Sequence, residues 1–147
     1  MKISDILTSH RTLYKASLPS QKKVFEVIAE TFAFDMPDCE AVDIFDKLVQ
    51  RERLGSSAIG KGVAIPHIRL LQAKEPRGCF ILLQHPVDFG TGHLVDLVFS
   101  LIVPLQATTT HLELLAMIAH LFSQPNFCEE LRQAPSRKEL YERLMNG

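Results

Sequence analysis

The segment GSSAIGKGVAIPH, Gly55 to His67, holds the residues of this chain with the clearest chemical potential. Gly55, Gly60 and Lys61 stand at the G-x-x-x-x-G-K spacing of a nucleotide-binding P-loop, but Gly62 occupies the position where that loop needs a magnesium-holding Ser or Thr. A working P-loop also follows a strand and opens a helix. Here a helical pattern precedes Gly55 and a strand pattern follows Gly62, so the order is reversed and a nucleotide is disfavoured. The segment ends on Pro66-His67. Proline has a fixed φ, which limits the orientations open to the ring that follows it. Imidazole is largely neutral at cytosolic pH and can form covalent intermediates as a nucleophile. Taken alone, His67 reads first as a loop histidine bonded to a backbone carbonyl, with the nucleophile as the alternative.

Two residues outside the segment could join it. Thr110-His111-Leu112-Glu113 has the S/T-x-x-E form of a capping box and predicts His111 at the first position of a helix, where free amides and the helix dipole favour an anion. Its alternative is an ordinary surface position. Arg51 ends the helical pattern before Gly55 and could supply a forked, permanently charged clamp. Its alternative is a solvated charge at a helix C-terminus. Combined with the amides and hydroxyls of Gly55, Ser56 and Ser57, these side chains make a coherent anion site. A phosphoryl group on His67 would bring close to two negative charges and would require such a surround. No metal or other cofactor is needed. His10, His85, His93 and His120 have no comparable context, and neither H-E-x-x-H nor a paired-cysteine zinc spacing occurs.

The flanking patterns say which elements must position these groups. Ser20 is an N-cap for SQKKVFEVIAETFA, where Val24, Phe25, Ile28 and Phe32 recur at helical spacing. Asp38 opens a second helix with a stripe of Ala41, Ile44, Phe45, Leu48 and Val49. A short strand is expected from Val63 to Ile65, broken at Pro66, with His67 on a loop or turn. GCFILLQ (Gly78 to Gln84) and VDLVFSLIV (Val95 to Val103) read as strands, the latter buried on both faces, with HPVDFGTGH as the loop between them. Beyond Pro104 the chain turns helical, with a short helix from Pro125 to Leu131 and a capping box at Ser136 leading into LYERLM. Helices flanking a strand-rich middle give an α/β class with a small mixed sheet.

Bulk properties exclude several functions. The chain of 147 residues is 46% hydrophobic, which suits one domain spanning residues 1–147. Sixteen Lys and Arg against seventeen Asp and Glu leave no polyanion-binding surplus, so nucleic acid is not expected as a partner. Cys39, Cys79 and Cys128 fit reduced, packed thiols. MKISDILTSH has no apolar signal core, and LVFSLIVPL is too short to span a bilayer, so a cytoplasmic protein without membrane insertion is expected.

Arg51-Glu52 followed by LGSSAIGKGVAIPHIR resembles the phosphorylation-site signature of the fructose/mannitol-type enzyme IIA domains of the bacterial phosphoenolpyruvate-dependent phosphotransferase system. VDLVFSLIVP, THLELLAMIAHLF and LRQAPSRKELYERL look like the same family's downstream blocks, so the resemblance runs from Ile3 to Leu144. It implies an α/β/α sandwich and a histidine that takes phosphate from the phosphocarrier protein HPr. His67 matches that histidine, with the phosphate implied on Nε2. His111 and Arg51 match the second histidine and the arginine beside it, and Ser57 matches a small hydroxyl position. The chain departs from the pattern at Ile68, where the family often has Gly, which implies a difference in loop geometry or partner access. With no sugar-transport or IIB domain attached, the chain most resembles the nitrogen-regulatory branch, whose members act on regulatory target proteins according to their phosphorylation. The alternatives are a sugar-transport IIA that passes phosphate to a separate IIB subunit, or a stoichiometric binding module in which His67 no longer turns over.

Overall fold

The computed structural model describes residues 1–90, 92–106 and 108–147. Strand β1 (Thr12–Ala16) follows two single 3-10 turns, Ile3–Asp5 and Ser9–Arg11. Helices α1 (Gln21–Asp35) and α2 (Ala41–Leu54) come next, then the short strands β2 (Ala58–Gly60), β3 (Val63–Ala64) and β4 (His67–Leu70). The long strands β5 (Arg77–Asp88) and β6 (Leu94–Pro104) complete the sheet. Helices α3 (Thr109–Phe122), α4 (Pro125–Arg132) and α5 (Arg137–Met145) close the chain.

Among the described residues the strands form one mixed sheet in the order β1-β5-β6-β3-β2, with β4 also pairing to β6. β5 and β6 are antiparallel, while β1 runs parallel to β5 and both β3 and β4 run parallel to β6. β3 and β4 therefore follow one another along a single edge of β6, Val63 opposite Leu97 and His67 opposite Leu101. The turn between them is Ile65-Pro66, where proline interrupts the strand.

Side chains alternate across the sheet with a period of two, and this sorts them into two cores. Cys79, Ile81, Val98 and Ile102 face Val24, Ile28, Phe32, Ile44 and Leu48 of α1 and α2. Phe80, Leu82, Phe99 and Leu101 face Leu114, Ile118, Phe122, Leu131 and Leu140 of α3 to α5. The expected α1 stripe is thus buried; of the α2 stripe Ile44 and Leu48 are buried while Ala41, Phe45 and Val49 are partly so, and the α/β/α layering follows from helices on both faces. From Leu97 to Val103 β6 is buried and, Ser100 apart, apolar, because both of its faces are covered there. Ser20 and Ser136 cap α1 and α5, accepting from the amides of Lys23 and Glu139 at 3.1 Å in each case.

Several expectations change. β1 and β2 lay outside the sequence reading, and β2 sits inside the supposed loop. β2 and β3 form a tight hairpin through Lys61-Gly62, both with positive φ (55° and 82°), the geometry of a two-residue primed turn. Gly62 has no room for a Cβ, which would lie 2.7 Å from Arg132 Nη2 and 2.8 Å from Asp96 Oδ1. β5 runs on through His85-Pro86 to Asp88 where a loop was expected, and the register shifts between Leu82 and Val87 to accommodate the proline. The rest of that expected loop includes Thr91, which lies outside the described residues. α2 starts at Ala41 with Glu40 as its N-cap, two residues beyond Asp38. No helix among the described residues is long and apolar enough to cross a membrane.

Candidate functional site

His67 opens β4 rather than riding on a loop, and its position is over-determined. The peptide before it is fixed at the Pro66 carbonyl, which accepts from the Leu101 amide at 3.0 Å. The ring is fixed at Nδ1, which lies 2.9 Å from the Ile65 carbonyl oxygen. A carbonyl can only accept, so Nδ1 carries the proton and donates it. The free lone pair of the neutral ring is therefore on Nε2. Ile68 packs into the core under α1 and α2 and also lines the cavity beside His67, so the residue that departs from the family pattern forms part of the site's wall.

At the edge of the sheet, where the two helical layers meet over β4, a cavity of about 650 Å³ opens beside His67. Its wall takes Lys47, Gln50, Arg51 and Leu54 from α2, His67, Ile68 and Arg69 from β4, Leu101 and Val103 from β6, and His111, Leu112 and Leu115 from α3. Among these residues the charged side chains are all cationic. Arg51 Nη1 donates to the Gly55 carbonyl at 3.1 Å, and among the described residues neither it nor Lys47 or Arg69 is paired with a carboxylate. Unopposed cations in a half-covered cleft favour an anion.

His111 enters from α3, but not at the position expected. Thr108 is the N-cap, accepting from the His111 amide at 3.3 Å, so His111 stands at the third helical position. Three consecutive threonines, Thr108, Thr109 and Thr110, offer alternative caps, and the chain uses the first. His111 Nδ1 accepts from the Thr108 amide at 3.4 Å and completes the capping box in place of a glutamate. An amide can only donate, so the His111 proton lies on Nε2. The two histidines thus have opposite tautomers: Nε2 of His67 is a lone pair, and Nε2 of His111 is a donor.

The structure brings Arg51, His67 and His111 to one cavity and leaves Gly55 and Ser57 off its wall. Gly55 is exposed at the end of α2. Ser57 is only 6% exposed, and its amide donates to both carboxylate oxygens of Glu52 at 3.1 Å, which removes it from the set of free anion donors. The Ser57 hydroxyl is buried and has no hydrogen-bond partner among the described residues. Glu52 also accepts from Gln21 Nε2 at 2.9 Å, so it ties the start of α1 to the loop after α2. Sequence reasoning overlooked this anchor and the cation Lys47; Lys47 lies one helical turn before Arg51, a spacing that puts both on one face. Among the described residues no cluster of three or more His, Cys, Asp or Glu could hold a metal ion.

Comparison with known proteins gives a consistent picture. The family model described as "Phosphoenolpyruvate-dependent sugar phosphotransferase system, EIIA 2" matches residues 5–147. A nitrogen regulatory protein of Pseudomonas aeruginosa is 42% identical over 144 residues, covering 97% of this chain and 94% of that protein. A nitrogen regulatory protein of Escherichia coli is 34% identical over 145 residues, covering 97% and 88%. Among solved structures, the nitrogen regulatory protein IIA-Ntr from Neisseria meningitidis aligns with a TM-score of 0.89 at 36% identity, covering 97% of this chain and 98% of that one. IIA mannitol from Escherichia coli aligns with a TM-score of 0.74 at 17% identity over 93% and 97%, a likeness of fold.

Proposed function

We propose, proceeding from the fact that the chain belongs to the EIIA 2 family of the phosphoenolpyruvate-dependent sugar phosphotransferase system, that it is a phosphoryl carrier whose acceptor is His67 Nε2 and whose phosphorylation regulates other proteins. The donor in this reading is a phosphohistidine on an HPr-like carrier. The His67 Nε2 lone pair attacks phosphorus, the new N–P bond forms as the donor's N–P bond breaks, and the donor imidazole leaves with the bonding pair. No proton has to leave Nε2. The positive charge that develops on the His67 ring is shared with Nδ1–H and eased by the Ile65 carbonyl. His111 Nε2–H, Arg51 and the neighbouring cations Lys47 and Arg69 stabilise the phosphoryl oxygens.

The observation that carries this reading is the Nδ1 contact to Ile65, because it frees the nitrogen that must react. The names of the relatives, nitrogen regulatory proteins at up to 42% identity over nearly the whole chain, support regulation over sugar transport as the use of the phosphate. In this role the protein works in the cytoplasm, and its partners are the donor and the regulatory targets.

Incubation of the purified protein with phosphoenolpyruvate, enzyme I and HPr, followed by intact mass measurement, tests the chemistry. One acid-labile phosphoryl group on the wild type and none on His67→Ala is the expected result. An unmodified wild type, or a modified His67→Ala, would overturn it.

A further inference from the structure

Ser100 is the one hydroxyl in the apolar run VDLVFSLIVP, and it is fully buried at 0% exposure. It stands in β6 opposite Cys79 of β5, between Val98 and Ile102, on the sheet face covered by α1 and α2. It lines no part of the cavity. Its Oγ donates at 2.9 Å to the carbonyl of Pro66, across the sheet from its own strand's core neighbours. The same carbonyl accepts from the Leu101 amide at 3.0 Å. Both acceptor sites of one oxygen are thus filled, and that oxygen belongs to the peptide unit that carries the His67 amide.

A buried hydroxyl in an otherwise apolar strand carries a desolvation cost that an alanine would avoid. Ordinary ladder geometry already supplies one bond to Pro66 through Leu101. What the second donor adds is orientation: two donors in different directions fix the plane of the Pro66-His67 peptide, where one would leave it free to rock. The ring of His67 depends on that plane, since its Nδ1 must reach back over Pro66 to the Ile65 carbonyl. Proline contributes no amide hydrogen at this turn, so no other backbone bond can substitute from residue 66.

We propose that Ser100 is a positioning residue for His67, holding the Pro66 carbonyl so that His67 keeps its Nδ1–H tautomer and aims Nε2 into the cavity. The proposal rests on His67 as phosphoryl acceptor. It acts through geometry alone: Ser100 touches neither the phosphoryl group nor the reacting nitrogen. Misplacement by a fraction of an ångström is enough to slow an in-line transfer.

The test compares wild type, Ser100→Ala and Ser100→Thr in two measurements. The first is ¹⁵N–¹H correlation of the His67 imidazole in the unphosphorylated protein, which reads the tautomer and does not depend on phosphoryl transfer. The second is the rate of transfer from phospho-HPr, separated into the rate at saturating donor and the donor concentration at half-saturation. Ser100→Ala should shift His67 to a mixture of tautomers and lower the saturated rate about tenfold with half-saturation unchanged. Ser100→Thr keeps the hydroxyl while adding a methyl to a packed site; it should lose thermal stability and yet retain the wild-type tautomer and rate. A wild-type tautomer and rate in Ser100→Ala would overturn the proposal, as would rates that simply follow melting temperature across the set. Should Ser100→Ala fail to fold, Ser100→Cys, similar in volume and a weaker donor, replaces it with the same two outcomes. If the wild type accepts no phosphate, the functional reading fails while the tautomer comparison still decides whether Ser100 positions the ring.

Discussion

Two arginine-rich regions of this molecule use the same side chain in opposite ways. Arg11 is 6% exposed and fully engaged, donating from Nε to the Gly78 carbonyl at 2.8 Å, from Nη2 to the Ile6 carbonyl at 3.0 Å and from Nη1 to Asp35. His10 reaches the same carboxylate at 2.7 Å. Arg132 likewise grips Asp96 with two bonds at 2.8 and 2.9 Å and the Lys61 carbonyl at 2.9 Å. Arg51 and Arg69 face a cavity with no carboxylate on its wall. A buried cation whose donors are all satisfied holds chain segments together; a cation left without a counter-charge beside a cleft is available for an anion that arrives later. The fold and the proposed chemistry thus rest on separate charges, and each can be removed without the other.

The sharpest way to break this division is at the buried end. Arg11→Met leaves Asp35 without its main partner and takes a donor from the Gly78 and Ile6 carbonyls, Ile6 keeping the Gly78 amide, and should destabilise the protein by about 3–5 kcal/mol. Chemical denaturation at neutral pH measures it. Arg51→Gln should do the reverse, lowering the rate of phosphoryl transfer roughly a hundredfold while changing the unfolding free energy by less than about 0.5 kcal/mol. Comparable stability losses in the two variants, or an unimpaired transfer rate in Arg51→Gln, would end the comparison.

Gly62 lies between Arg51 and Arg69 in sequence, yet it belongs with the Arg132 clamp. It is the residue that spoils the P-loop spacing, and its role is steric: positive φ, and a Cβ position already occupied by the Arg132–Asp96 pair. Gly62→Ala should cost about 2 kcal/mol through backbone strain and displacement of Arg132. His67 is not part of that clamp, so the folded fraction should still accept phosphate at near the wild-type rate. A loss of transfer larger than the loss of folded protein would show that the hairpin also shapes the site.

What could be read from the sequence follows the same division between local and paired effects. Helices α1 and α2 and strands β5 and β6 were legible because periodicity and apolar runs are local properties. β1 was not, since Lys15 interrupts it with a φ of 50° and its pairing partner in β5 lies more than sixty residues away. β2 was hidden because the glycines that mark a loop also make the hairpin turn. The convergence of Arg51, His67 and His111 on one cavity was legible from residue types and the helix ends that carry them. The exact cap of α3 was not, because adjacent threonines compete for it. Nor was the fate of the Ser57 amide, which depends on Glu52 folding back from the preceding helix turn, or the hold that Ser100 has on Pro66 from a strand 34 residues on.

The smallest expected effect concerns Asp35, where burial and the cationic partners act in opposite directions. Burial pushes its carboxyl up, but the hydrogen bonds from Arg11 and His10 and their charges outweigh it and hold the group below the ordinary carboxylate value of 3.8. A carboxyl whose folded pKa is depressed adds stability that is fully present above its unfolded pKa and is lost as pH falls through the folded value. The contribution should therefore be constant from neutral pH down to about 5 and disappear progressively below about 4. Urea midpoints measured across that range should fall on the acid side in the wild type. Asp35→Asn should start lower at pH 7 and show a shallower acid limb, because its amide cannot be protonated. Parallel profiles for the two proteins would mean that Asp35 gains nothing from its partners, and the contrast between engaged and open arginines would then rest on Arg132 alone.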